Sequence, residues 1–171
     1  MEGAFARIPL RIMGLRTITL LLGADIGDPP ATFRIAEAAL ERRVGRIVGR
    51  SRDHWSRAWG FVSDRPFLNR AVQVRTALDA DELMDRLLSI ESEAGRSRGP
   101  QEGYGPRPLD IDVLFLGKNE RGTQRVIVPH PRLAVRRFAL APLADLEPLR
   151  IHPPTGKTIL GLLDLVDRDA Q

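Results

Sequence analysis

The 171-residue chain is 43% apolar and 28% charged, an ordinary balance for one folded domain with a full core. It has no cysteine, which excludes disulfides, thiolate metal sites and a thiol nucleophile, and no apolar run approaches the ~18 residues of a membrane span. The net charge of +4 rests on 24 arginines against Lys118 and Lys157 alone. Arginine suits phosphate and carboxylate, but with interspersed acids and no basic tail, charge alone identifies no partner.

Residues 1–16 read as a flexible extension without a signal-peptide core, and Met13 is an alternative start. The folded domain is expected over 17–171. Thr17–Leu22 reads as a strand ending at Gly23. Ala24–Asp28 is a turn, and Pro29-Pro30 opens a helix with proline in its first turn. Phe33, Ala36, Ala39 and Leu40 give that helix an apolar stripe through Arg43. Val44–Trp55 is expected to be a strand, followed by an irregular loop to Pro66. Phe67–Ala77 alternates apolar and polar residues and reads as a further strand. Asp79 caps a second helix and Glu82, three residues on, completes a capping box; Leu83, Leu87, Ile90 and Ala94 form its buried stripe.

Gly95–Pro108 is a long Gly/Pro/Arg loop of the kind that serves as a functional lid. Leu109–Leu116 is a strand, Val126–Val128 a short strand, and Arg137–Leu146 and Thr158–Val166 are helices. The order β-α-β-β-α-β predicts an α+β, ferredoxin-like βαββαβ sandwich with long mobile loops and C-terminal helical additions. Gly156-Lys157-Thr158 resembles the end of a phosphate-binding loop, but the glycine required five positions earlier is Ile151, so a turn is expected.

The chemistry concentrates in the acidic strand. Side chains alternate faces along a strand, so Asp110 and Asp112 project from one face, about 6.5–7 Å apart. Two adjacent anions in a half-buried strand repel and lose solvation. A hard cation such as Mg²⁺ relieves both penalties. Salt bridges to nearby arginines would relieve them equally well.

Several motifs then occur in one order: Phe67-Leu68-Asn69, Ile90-Glu91 followed by Gly95-Arg96-Ser97-Arg98, Gly105-Pro-Arg-Pro-Leu-Asp-Ile-Asp112, and Pro129-His130-Pro131-Arg132 ending in Arg136-Arg137-Phe138. Over about Thr17 to Val166 the chain resembles the hydroxymethyldihydropterin pyrophosphokinases. The resemblance implies an ATP-dependent diphosphotransferase of folate biosynthesis. Such an enzyme passes pyrophosphate from ATP to the hydroxymethyl group of 6-hydroxymethyl-7,8-dihydropterin and releases AMP. It further implies that Asp110 and Asp112 ligate two Mg²⁺ ions and that Arg98 and Arg107 share the catalytic centre with them. Glu91, Arg98, Arg107, Arg125, His130 and Arg136 match the ATP side; Ser56, Trp59, Phe67, Asn69 and Phe138 match the pterin side. For a lone Phe, core packing is the plainer reading, and for Glu91 a solvated helix face; for His130, flanked by two prolines, a structural role weighs equally with a phosphate contact.

Three departures stand out. The family's usual Gly-Ser-Asn is here Gly23-Ala24-Asp25, Gly103-Tyr104 replaces an Arg-Trp pair, and Ser56-Arg57-Ala58 replaces a Thr-Pro-Pro-like stretch. His54 and His152 read as ordinary surface or packing residues. A monomer in the cytoplasm is expected, with small-molecule substrates and neither membrane nor nucleic-acid partner. The alternatives are a nucleic-acid-binding ferredoxin-like module and a catalytically degraded ATP-binding relative.

Overall fold

The computed structural model describes residues 14–60, 64–95, 106–118 and 121–169. Four strands form the main sheet path in the order β2-β4-β1-β5, all antiparallel: β1 (Arg16–Ala24), β2 (Arg46–Arg50), β4 (Phe67–Thr76) and β5 (Asp110–Leu116). β3 (His54–Ser56) adds to the far end of β4. With α1 (Pro29–Arg43) and α2 (Ala80–Glu93) as crossovers, this is the ferredoxin-like α+β arrangement. Helices α3 (Arg137–Leu146) and α4 (Ile159–Asp169) complete the chain.

Helix starts follow local chemistry. The Asp28 side chain accepts from the Ala31 N–H at 3.0 Å ahead of Pro29-Pro30. Asp79 accepts from the Glu82 N–H at 2.8 Å, while Glu82 accepts from the Asp79 N–H at 3.3 Å, closing the expected capping box.

The core lies on both faces of the sheet. Ile18, Leu20 and Leu22 of β1 pack with Phe33, Leu40, Leu83 and Leu87 of α1 and α2. Leu21, Leu114 and Phe115 pack with Leu140, Leu143 and Ile159 of the C-terminal elements. Burial on both faces explains the unbroken Leu20-Leu21-Leu22 run, which carries no alternation. An irregularity in the β1–β5 register at Thr19/Leu20 lets the adjacent Leu114 and Phe115 enter the same cluster. Asp110 and Asp112 lie on the second face, beyond the part covered by this cluster.

Four expectations need correction. Arg16 already belongs to β1, opposite Thr76, so the first strand starts one residue earlier than Thr17. Val44–Trp55 is two strands, because Ser51–Asp53 leaves the ladder, with a register irregularity between Ile47 and Gly49. Val126–Val128 is not a strand. There the Thr123 hydroxyl accepts from the Arg125 and Val126 N–H groups at 3.2 Å each, and the Thr123 N–H donates to the Val126 carbonyl at 2.9 Å. These local bonds replace a sheet ladder, and a Cβ on Gly122 would sit 1.6 Å from the Val126 oxygen, so the turn requires glycine. Finally, Lys157-Thr158 lies in a small hairpin, β6 (Ile151–His152) with β7 (Lys157–Thr158), before α4 starts at Ile159. Its turn uses Gly156 at φ +66°.

Candidate active site

Gly23 pairs with Asp110 and Leu21 with Asp112 across β1 and β5. Having no side chain, Gly23 leaves open the space between Asn69 and Asp110. A cavity of about 140 Å³ opens here, lined by Ser56, Trp59, Phe67, Asn69 and Phe138 together with Arg107, Asp110, Asp112, His130 and Arg136. A second cavity, about 530 Å³ and wider, is lined by Glu91, Arg125, Arg107, Asp110, Asp112 and His130. The last four residues are common to both. Every candidate residue within the described chain therefore lies on one cavity or the other; Arg98, like Gly103, falls outside the described residues.

The smaller cavity is a slot with aromatic walls and a polar end. Trp59 and Phe138 lie with centroids 6.1 Å apart at 55°, and Phe67 lines the same space. The buried Asn69 amide donates to Ser56 Oγ at 3.0 Å. Its Oδ1 lies beside Gly23. Arg136 brings its guanidinium 4.9 Å from the Trp59 ring and 5.5 Å from the Phe138 ring, in cation–π geometry. Arg57 also lines this slot, although the sequence marks it only as part of an unusual loop.

On the wider side, Glu91 is not solvated. It is 2% exposed, and its Oε1 accepts from the Ile111 N–H at 2.7 Å. β5 is an edge strand, so this bond satisfies a backbone donor on its open side. Arg125 pairs with Asp85 of α2 at 2.6 Å while lining the cavity. His152 is buried and bonded to Thr155, a packing role as expected. His54 does more than pack: with Arg52 it grips the Asp145 carboxylate of α3, at 2.8 Å from the imidazole. Hydrogen bonds from Arg52 and then from His54 hold the Asp145 carboxyl well below the usual carboxylate range.

The two readings of the aspartate pair coexist. Arg107 forms a close ion pair with Asp110, and Arg136 Nη1 lies 3.8 Å from Asp112. Burial and the adjacent Asp110 nevertheless push the Asp112 carboxyl from 3.8 to about 7, outweighing the pull of Arg136 and Arg107. The arginines thus leave the pair short of positive charge. Among the described residues no cluster of three or more Asp, Glu, His or Cys could hold a metal. Two carboxylates beside an open cavity suit Mg²⁺, which typically takes one or two protein carboxylates and completes its shell with water and substrate phosphates.

His130 is pushed the other way, from 6.5 to about 4, by burial and then by Arg136, so it is neutral at neutral pH. Its Nδ1 faces the Arg132 N–H at 3.2 Å and its Nε2 faces Arg136 Nη1 at 3.3 Å. A neutral imidazole carries a single N–H, so it can accept from only one of these donors.

These two groups make an opposing stability signature. Between about pH 3.8 and 7 the native chain keeps a proton on Asp112 that the unfolded chain releases, so this contribution is lost as pH rises through about 7. Between about pH 4 and 6.5 the unfolded chain binds a proton on His130 that the native chain refuses, so that contribution is lost as pH falls. Across the shared window the slopes oppose. Urea unfolding without divalent metal is expected to show little pH dependence from this pair in the native sequence. In Asp112→Asn, stability should instead rise by about 1–3 kcal/mol from pH 4 to 6.5. Parallel curves for the two proteins would refute the pairing.

The family model for 7,8-dihydro-6-hydroxymethylpterin-pyrophosphokinase (HPPK) matches residues 19–148. The chain is 37% identical over 147 residues to the 2-amino-4-hydroxy-6-hydroxymethyldihydropteridine pyrophosphokinase of Synechocystis, covering 85% of this chain and 74% of that protein. It is 43% identical over 130 residues to the mitochondrial folate synthesis bifunctional protein of Arabidopsis thaliana, covering 75% of this chain and 23% of that protein. In structure it is similar to a crystallised Plasmodium falciparum HPPK-DHPS triple mutant, with a TM-score of 0.69 at 15% identity over 95% of this chain and 46% of that one. The chain thus spans about a quarter of the plant protein and under half of the Plasmodium chain, while residues 19–148, which the family model matches, include both crossover helices and the lining of both cavities. This chain belongs to the 7,8-dihydro-6-hydroxymethylpterin-pyrophosphokinase family.

Proposed function

We propose that pyrophosphate passes from ATP to the pterin alcohol at the wall where the two cavities meet. The chain is a diphosphokinase of folate biosynthesis with ATP as co-substrate and 6-hydroxymethyl-7,8-dihydropterin as acceptor. The observation that carries the assignment of roles is the sharing of Arg107, Asp110, Asp112 and His130 between an aromatic-walled slot and a wider cavity.

In this reading the pterin ring lies among Phe67, Phe138 and Trp59, and stacking on those π-faces supplies affinity. Asn69 and Ser56 read the ring's polar edge, because an amide offers a donor and an acceptor together. The triphosphate occupies the wider cavity. Arg107 and Arg125 offer it guanidinium donors from the cavity lining, Arg136 stands on the slot side next to His130, the family resemblance adds Arg98, and neutral His130 can turn an N–H toward an oxygen. Glu91 supports β5 from beneath this cavity and lines it.

Asp110 and Asp112 would hold Mg²⁺, two ions in our proposal, which when bound offset phosphate charge and favour an in-line arrangement. The chain's own contribution is positioning. The slot presents the hydroxymethyl oxygen to the β-phosphorus, the O–Pβ bond forms as the hydroxyl proton is released to solvent, the bond from Pβ to the bridging α,β oxygen breaks, and AMP leaves with that oxygen.

Incubation with ATP, Mg²⁺ and the pterin is expected to yield AMP and the pterin diphosphate in equal amounts, and EDTA should abolish turnover. Release of ADP would sink the assignment. We further propose a cytoplasmic monomer without a nucleic-acid partner. Its one-sided pair of aspartates would repel a phosphate backbone, and sedimentation and salt-dependent RNA titration test the two points.

A further inference from the structure

Asp25 stands where the family usually has asparagine, in the turn between β1 and α1. It is 5% exposed. It does not line the aromatic slot. Its Oδ1 accepts from the Arg107 backbone N–H at 2.6 Å, and its own backbone N–H donates to the Arg107 carbonyl at 3.2 Å. One residue thus holds both main-chain polar groups of another that is 82 positions later in sequence. The second oxygen, Oδ2, is buried and has no hydrogen-bond partner among the described residues. Asp25 is therefore committed to a single target, at a cost in desolvation.

That target is the arginine that pairs with Asp110 and lines both cavities. Arg107 lies three residues before β5 begins, in a stretch that belongs to neither helix nor strand. An arginine side chain has four rotatable bonds, so its guanidinium is placed no better than its own backbone. The continuation into β5 fixes Arg107 from one side. Asp25 fixes it from the other, and ties it to the end of β1, the strand that pairs with β5.

We propose that Asp25 is a positioning residue for Arg107: its carboxylate clasps the Arg107 backbone and so sets the guanidinium at the junction of the two substrates. The role needs an acceptor oxygen more than a charge. A charged acceptor makes the shorter and stronger bond, whereas an asparagine in the same place makes the same bond through its amide oxygen. The inference rests on the proposed placement of Arg107 in the reaction chamber.

The test is a set of four proteins: native, Asp25→Ala, Arg107→Ala and the double variant, with Asp25→Asn beside them. Asp25→Ala is expected to lower kcat about 10- to 100-fold, the range that small misplacement of a catalytic group produces, with the KM for the pterin within about threefold of native. Asp25→Asn should restore kcat to within about threefold of native. In the Arg107→Ala background, Asp25→Ala should add little, because both changes remove one function. Hydrogen exchange should show the Arg107 amide opening in Asp25→Ala and protected in Asp25→Asn.

A full further loss in the double variant would overturn the proposal, as would native kcat in Asp25→Ala. If Asp25→Ala does not fold, Asp25→Asn decides: a folded protein with kcat lowered more than tenfold would refute an acceptor role. Native turnover in Arg107→Ala would instead overturn the functional reading of Arg107 itself, so the two failures are distinguishable.

Discussion

Asp112→Ala is expected to reduce turnover by about 10³-fold or more while leaving the fold intact. The two halves of that result have different causes. Activity falls because one of the two carboxylates available to Mg²⁺ is gone, and among the described residues no cluster of three or more metal-binding side chains could stand in. Stability holds, or improves at pH 8, because the native state keeps Asp112 in a position that disfavours its charge. Burial and Asp110 raise its carboxyl to about 7, so above that pH the fold carries a strained anion that alanine removes. Most substitutions at a partly buried site destabilise, so a thermal midpoint that is unchanged or higher is a pointed outcome. Asp110→Ala should differ. Arg107 forms its ion pair with Asp110, and removing that carboxylate takes the close counter-charge from a half-buried guanidinium. Activity assays beside thermal melts at pH 8 without Mg²⁺ check both. Native-like turnover in Asp112→Ala would refute the metal role, and a large drop in its midpoint would refute the charge argument.

The parts of this molecule that sequence made legible are those set by local chemistry or strict period. Asp79 and Glu82 declare a helix start because the capping box needs only four residues. Asp110 and Asp112 share a face because strand period is two. The ferredoxin-like order followed from the sequence of elements, since crossover rules leave few arrangements of such a string.

What escaped depends on distant partners. The Val126–Val128 run has strand composition, yet Thr123 and Gly122 fold it into a turn. Glu91 looks like any exposed helical glutamate until β5 is placed against it, and only then is its bond to Ile111 visible. His54 has no motif around it, and its partner Asp145 lies 91 residues away. Asp25 reads only as a departure from the family's Gly-Ser-Asn, whereas in space it belongs to Arg107. In each case the side chain's type was plain and its target was not, because tertiary pairing has no short-range signature.

Phe138→Ala is expected to weaken pterin binding by about 10- to 100-fold, the worth of one aromatic face against a flat heterocycle. The KM for ATP should stay near native, since Phe138 lines the slot and not the wider cavity. The substitution also touches packing, because Phe138 sits at the edge of the second core cluster beside Leu140 and Leu143. That loss should cost about 1–2 kcal/mol of stability, less than for a fully buried ring. Phe138→Leu separates the two effects: a branched aliphatic refills the space and restores stability but offers no π-face. It also removes a ring from beneath Arg136, whose guanidinium then rests on Trp59 alone of the pair. Arg136 is thereby freer to move toward Asp112, 3.8 Å away in the native chain. Leucine should therefore recover the melting temperature and leave the pterin affinity low. Calorimetry with the pterin in the presence of a non-hydrolysable ATP analogue reads the affinity, and thermal melts read the fold. If Phe138→Leu bound pterin as tightly as native protein, stacking would be refuted and the phenylalanine would be a core residue that merely borders the slot.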